Sequence, residues 1–271
     1  MTQSNVDNKN QGFWDELCGS GLAKSIGTLD NSPESIKKFD SAYMGLYPYL
    51  FQYLPHPTKP EERILEIGLG YGTVGGILVE RGFDYYGLDI AEGPVGLMGE
   101  RMKRNGLSGQ SVQKGSALEI PHPNEHFDKV ISIGCLHHTG DLEKCVAEVH
   151  RVLAPGGEAV IMLYNRLSYR QLVQAPANWY REMRAEGWNG YRQRIRAMYD
   201  TNLEGEAAPH TDYISMFKAH RLFKSFTSID IDIQNFDHLT LFGGKFHRDR
   251  PQLLNNIGRI FGLDLYITLQ K

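Results

Sequence analysis

The sequence predicts an α/β fold built on a doubly wound, mostly parallel sheet. Short apolar runs alternate with amphipathic segments from about residue 63 onward, the alternation expected of strands joined by crossover helices. The first such run, ILEIG at 64–68, meets a glycine cluster where a helical pattern begins. The composition, 41% apolar and 23% charged over 271 residues, is that of a chain able to bury a full core, so one decorated domain is expected rather than a disordered or fibrous chain.

Each element follows from local pattern. Residues 1–12 are polar and read as a loosely held tail, whereas FWDEL at 13–17 and IKKFDSAYMGLYPYLFQYL at 36–54 read as aromatic-rich helical segments ended by Pro55, Pro57 and Pro60. After ILEIG, TVGGILVERG at 73–82 has helical spacing and YYGLDI at 85–90 reads as a second strand, completing one β-α-β unit. A helix from about Ala91 stops at Asn105 and Gly106, SVQKG at 111–115 is a third strand, and DKVISIG at 128–134 is a fourth, largely buried one. Leu142, Val146, Val149 and Leu153 recur at helical spacing up to the stop at Pro155, Gly156 and Gly157, before the strand EAVIMLY at 158–164.

Beyond Asn165 the alternation breaks into helical material containing tryptophan and arginine, read as an insertion or lid. FTSIDIDI at 226–233 and LDLYITL at 263–269 alternate apolar and polar residues as strands do, with a loop and no strong helix between them, and suit an antiparallel hairpin at the sheet edge. The resulting division is a tail and helical cap over 1–62, a core over 63–164, an insertion over 165–225 and closing strands over 226–271.

Whole-chain properties narrow the function. A formal net charge of −3 gives no global attraction to nucleic acid or to anionic lipid. No apolar run approaches the roughly 20 residues of a membrane helix, and the first residues lack a signal core. Cys18, Cys135 and Cys145 are too few for a disulfide scaffold and lack zinc spacing; a cytoplasmic, metal-free protein, monomeric or a homodimer, is expected.

The segment EIGLGYG at 66–72 lies where a strand gives way to a helix, the place where doubly wound sheets bind ligands. Its glycines allow the backbone to approach a ligand closely. Gly70, Gly72 and Gly75 also satisfy the dinucleotide pattern GxGxxG, with Asp89 lying 19 residues after Gly70, so an NAD-dependent oxidoreductase is a competing reading. Glu66 argues for an aminoacyl nucleoside instead, because a carboxylate at the loop would repel a pyrophosphate and attract an ammonium. The long helical prelude and the absence of a second catalytic domain point the same way.

EIGLGYG, the acidic end of YYGLD, FDKVISIGCLHH at 127–138 and HRVLAPGGEAVIMLY at 150–164 together resemble the successive motifs of class I S-adenosylmethionine-dependent methyltransferases, especially small-molecule enzymes similar to those of quinone biosynthesis. The resemblance covers roughly 60–165. It implies a seven-stranded, Rossmann-like sheet whose final strand is antiparallel, S-adenosyl-L-methionine as cofactor, S-adenosyl-L-homocysteine as product, and a small-molecule acceptor methylated on oxygen, nitrogen or carbon. A catalytically silent module that only binds the cofactor is a third reading.

Carried over position by position, the resemblance implies that Glu66, Gly68, Gly70, Tyr71 and Gly72 hold the methionine part. Asp89 would accept hydrogen bonds from the ribose hydroxyls and Ile90 would pack on the adenine. Ser116 stands where relatives carry an aspartate that binds the adenine amino group, and the amide of Ala117 can still meet the ring. Gly134 and Cys135 would lie near the sulfonium, Cys135 as a packing residue rather than a nucleophile. His137 or His138 could act as general base for a hydroxyl or amine acceptor, with pocket shaping as the alternative.

Tyr164 and Asn165, ending the fifth strand, are candidates for the acceptor pocket. His210 and Tyr213 are looser ones, and with His220 they have no metal-binding spacing. Trp14, Tyr43, Tyr47 and Tyr49 could close over the cofactor or simply pack as core. Between 166 and 196 seven arginines face two glutamates, a basic segment suited to an acidic acceptor or RNA phosphate, or, as a plainer reading, to a solvated helix face or subunit contact.

Overall fold

A computed structural model describes residues 2–15, 20–27, 32–202, 204–241 and 245–271. Cys18, and the end of the segment expected to be helical at 13–17, lie outside them. In chain order the elements are α1 (Gln3–Trp14), α2 (Ser20–Ser25), α3 (Pro33–Leu46), β1 (Arg63–Ile67), α4 (Thr73–Glu80), β2 (Asp84–Asp89), α5 (Glu92–Arg104), β3 (Val112–Lys114), β4 (Phe127–Ile133), α6 (Leu142–Val152) and β5 (Leu153–Tyr164). They continue with α7 (Ala175–Ala197), α8 (Met216–Leu222), β6 (Ser228–Gln234), β7 (Leu239–Leu241), β8 (Phe246–Arg248), α9 (Arg250–Leu253), α10 (Gly258–Phe261) and β9 (Asp264–Gln270).

Among the described residues the main sheet has seven strands in the order β3-β2-β1-β4-β5-β9-β6. Pairings from β3 through β5 are parallel, and β9 runs antiparallel to both β5 and β6. Apolar runs at β1 and β4 are buried on both faces, as central parallel strands require: Ile64, Leu65, Val130 and Ile131 are at most 1% exposed. Leu142, Val146, Val149 and Val152 of α6 fill one face together with Phe223 and Phe226, while Leu78, Tyr85, Met98 and Tyr266 fill the other.

The N-terminal residues depart from the expectation of a loose tail. α1 is a twelve-residue helix whose docking comes from a few side chains rather than an apolar face. Val6 and Asn10 are buried, Asn10 Nδ2 donates to the His138 carbonyl at 2.7 Å, and Gln3 Nε2 donates to the Thr139 carbonyl at 2.7 Å. Polar anchors of this kind leave no hydrophobic period in a sequence. The stretch from 235 to 262, expected as a loop, holds the β7–β8 hairpin and the single-turn helices α9 and α10.

β5 begins at Leu153 rather than after the glycines, because the pairing steps from Phe127↔Leu153 to Lys129↔Glu158 and so leaves Pro155, Gly156 and Gly157 as an irregularity inside the strand. Its far end is tied to β9 through Asn165, whose Nδ2 donates to the Gly262 carbonyl at 2.8 Å. A Cβ at Gly262 would strike the carbonyl oxygens of Gly258, Gln234 and Asn235. Backbone cannot yield as a flexible side chain does, so Gly262→Ala should cost about 1–3 kcal/mol and lower the thermal unfolding midpoint by several degrees in a calorimetric scan; an unchanged midpoint would show that the β6–β9 connection can relax.

Candidate functional site

The turn after β1 shapes the site. Gly68, Gly70 and Gly72 all have positive φ (85°, 49° and 71°), a conformation glycine adopts without the Cβ penalty. At Gly68 the constraint is also steric: a Cβ there would collide with the Cβ and Sγ of Cys135 on the neighbouring strand end. Gly72 caps α4, and its amide donates back to the Leu69 carbonyl at 2.7 Å.

Asp89, at the end of β2, holds this turn in place. Its Oδ2 accepts from the Leu69 amide at 2.8 Å and its Oδ1 from the Ala91 amide at 2.9 Å. Burial raises its pKa, and the backbone donors at Ala91, Leu69 and Ile90 oppose that rise by stabilising the charged form. Each carboxylate oxygen keeps a second lone-pair direction for a ligand.

Glu66 lies deeper, 3% exposed. Tyr85 donates to its Oε2 at 2.5 Å, yet burial, with the nearby Asp89 charge adding to it, pushes the carboxyl up to about 8. The group is therefore held protonated near neutral pH. Gly75 makes room for it, since a Cβ there would lie 2.6 Å from both Glu66 Oε2 and the Tyr85 hydroxyl.

Glu66 and Asp89 line one cavity. Gly68, Gly70, Tyr71, Ile90, Ser116, Ala117 and Cys135 share its wall, and so do Tyr43 and His138. Ser116 is partly engaged, its Oγ accepting from the Leu118 amide at 3.2 Å. Gly72, Gly134, His137, Tyr164, Asn165, His210 and Tyr213 lie off that wall. Asn165 is a structural residue between β5 and β9, and His137 is fully buried against Tyr164, with ring centroids 4.1 Å apart.

The wall also includes residues that sequence reasoning passed over. Asp7 and Asn10 reach it from α1 and Phe39 from α3, beside Trp14, which the sequence offered as a cover or as core. Phe39 stacks on Tyr71 at 3.9 Å, and Trp14 packs on His138 at 4.8 Å. Asn10 Oδ1 is buried without a hydrogen-bond partner, a vacancy of the kind that a ligand donor fills. Arg101 makes a two-pronged pair with Asp40 at 2.8 and 2.9 Å, and Thr73 Oγ1 donates to the same carboxylate at 2.7 Å, so α3, α4 and α5 are joined behind the turn. An aspartate and an arginine 61 residues apart carry no local signal of that pairing.

Because the folded pKa of Glu66 is raised above its unfolded value, folded protein binds the extra proton, and stability falls as pH rises from about 4.5 to about 8. Glu66→Gln removes this dependence. Its ligand-free stability, followed by denaturant titration, should decline less than that of the wild type over this range, by up to a few kcal/mol; parallel curves would mean that Glu66 is charged in the resting protein.

Residues 65–161 match the family described as "Methyltransferase domain". The chain is 28% identical over 160 residues to norajmaline N-methyltransferase of Rauvolfia serpentina, covering 58% of this chain and 51% of that protein. It is 32% identical over 106 residues to demethylmenaquinone methyltransferase of Thermus thermophilus, covering 38% of this chain and 48% of that protein. The chain thus spans about half the length of these curated relatives. Its fold is shared with an S-adenosylmethionine-dependent methyltransferase of Mesorhizobium loti, with a TM-score of 0.55 at 18% identity over 83% of this chain and 97% of that one. Motif order and sheet topology agree with these likenesses: residues 65–161 match a methyltransferase domain, carried on a fold shared with S-adenosylmethionine-dependent methyltransferases.

Proposed function

We propose that the protein is an enzyme that transfers the methyl group of S-adenosyl-L-methionine to a small-molecule acceptor. The observation that carries this reading is the pair of carboxylates, Glu66 and Asp89, facing one cavity across the glycine turn. A buried acid held protonated until an ammonium reaches it suits the amino acid end of the cofactor. A carboxylate braced by two backbone amides suits the ribose hydroxyls, which donate to it. The same arrangement disfavours a dinucleotide, whose pyrophosphate would meet Glu66.

The residues present fit the cofactor: Glu66 and Asp89 line one cavity, and the unpartnered Asn10 Oδ1 on its wall offers an acceptor. When bound, the cofactor supplies an activated methyl group on a sulfonium. The chain's part is to hold the reactants in line, exclude water and accept a proton where the acceptor carries one. Tyr43, Phe39 and Trp14 cover the cavity from the N-terminal helices.

Of the two histidines considered as a base, His138 faces the cavity, and burial lowers its pKa, leaving it neutral and able to take a proton. Domain roles follow the sequence division, with 63–164 as the cofactor core and 165–225 forming the acceptor side. No helix among the described residues is long and apolar enough to cross a membrane; action on small molecules in the cytoplasm completes the reading.

Two measurements test this function. Calorimetry should show S-adenosyl-L-homocysteine binding without NADH binding, and Asp89→Ala should weaken that binding by more than tenfold while the circular dichroism spectrum stays unchanged. Tight NADH binding, or unaltered affinity in the variant, would overturn the reading. Labelled S-adenosylmethionine mixed with metabolite extracts separates the enzyme from a silent binding module, which would yield no labelled product.

A further inference from the structure

Beyond the cofactor cavity, on the side of β5, β9 and the insertion, lies a second cluster of buried polar groups. Tyr164 donates to Asp200 at 2.9 Å, and its ring neighbours those of His137, Tyr199 and Tyr213 at 4.1, 4.6 and 6.4 Å. His138 connects the cluster to the cavity, since it lines the cavity wall and its ring lies 5.9 Å from that of Tyr164.

The hydrogen-bond inventory of this cluster is unbalanced. His138 Nδ1 faces the His210 carbonyl at 2.7 Å; a carbonyl only accepts, so Nδ1 carries the hydrogen and, in the neutral ring, Nε2 presents a lone pair. That lone pair lies 3.5 Å from Asp200 Oδ2, which also only accepts, and Nε2 has no hydrogen-bond partner. Asp264 Oδ1, in a residue 1% exposed, is likewise unpartnered. Burial pushes the Asp264 carboxyl up to about 7, against the pull of Arg170 and Arg250.

The neighbouring cations have acceptors of their own. Arg170 is held in a two-pronged pair by Asp237 at 2.6 and 2.8 Å, Arg196 Nε donates to the Ala208 carbonyl, and Arg250 donates to the Leu46 carbonyl and to Asn235 Oδ1. Among the described residues Asp200 has no salt bridge to lysine or arginine; its ionic neighbour is His138.

His138 Nε2, buried and unpartnered, faces the half-buried Asp200 carboxylate, and a donor placed against both would satisfy them together. An ammonium is the donor-rich group that fits: it brings three N–H bonds and a charge opposite to that of Asp200, and tyrosine rings attract it through their faces. We infer that the acceptor is a primary or secondary amine recognised as its ammonium, which bridges Asp200 and His138 Nε2 inside a wall formed by Tyr164, Tyr199 and Tyr213, with Asp264 as a further acceptor. The nitrogen is then positioned beside His138, which also lines the cofactor cavity and whose Nε2 would take the proton that the ammonium must lose before its lone pair can accept a methyl group. This inference rests on the methyltransferase reading and names the substrate class of the same site. An acidic acceptor, which the arginines of the insertion once suggested, finds Arg170 already paired and Asp200 in the way.

The test uses the full chain saturated with S-adenosyl-L-homocysteine and titrated calorimetrically with butylamine, 2-phenylethylamine and 1-adamantylamine, each beside its alcohol, and with 3-phenylpropionate. At least one amine should bind tenfold or more tightly than its alcohol, the carboxylate should bind no better than the alcohols, and Asp200→Asn should bring the amine-to-alcohol ratio within threefold of unity. Asp264→Asn should lower it less. Thermal unfolding reports whether either variant folds, and the wild-type ratio decides the matter if Asp200→Asn does not. Equal binding of amines and alcohols, no amine binding, or a folded Asp200→Asn variant that keeps the ratio would overturn the inference while leaving the methyltransferase reading intact. Failure of S-adenosyl-L-homocysteine itself to bind would remove both.

Discussion

The clamp of Asp89 on the Leu69 and Ala91 amides, at 2.8 and 2.9 Å, is the interaction on which the site depends. It joins the turn after β1 to the end of β2, two parallel neighbours whose register alone would leave the loops above them undefined. Three successive alternate positions with positive φ let the chain reverse without side chains entering the cavity. Arg101, Asp40 and Thr73 support the same turn from behind.

Electrostatics then divide the site in two. On the cofactor side, Glu66 is buried deeply enough to sit near 8, while Asp89, also raised, is kept nearer its charged form by backbone donors. Two acids 23 residues apart in the chain are thus held differently by their surroundings, Glu66 chiefly by burial and Asp89 by burial opposed by backbone donors. On the far side, His138 Nε2, Asp264 Oδ1 and the Tyr213 hydroxyl are buried without hydrogen-bond partners, which costs free energy in the resting chain.

Histidine 138 belongs to both halves. Its Nδ1–H is committed to the His210 carbonyl, which fixes the tautomer and leaves Nε2 facing Asp200. Trp14 covers its ring from α1, so the N-terminal helix, the fourth strand's end and the insertion converge on one side chain. His137, one residue earlier, points into packing against Tyr164 with neither ring nitrogen hydrogen-bonded. Adjacent residues of one single-turn helix point in different directions, and sequence could not choose between them.

What the sequence determined by itself were the features written in local pattern. Strand and helix alternation placed β1 through β5 within a residue or two, apart from the irregular start of β5. The glycine turn and the acids at 66 and 89 were legible because they fall at the ends of two successive strands of one β-α-β unit. Tertiary structure alone decided the rest. α1 docks through Asn10, Gln3 and Val6 and leaves no apolar period to read. Phe39 meets Tyr71, and Asp40 meets Arg101, across distances in sequence that no spacing rule covers. The placement of Asp264 beside Tyr164 depends on β9 inserting between β5 and β6, a long-range pairing whose partners are chosen by the packing of the whole sheet.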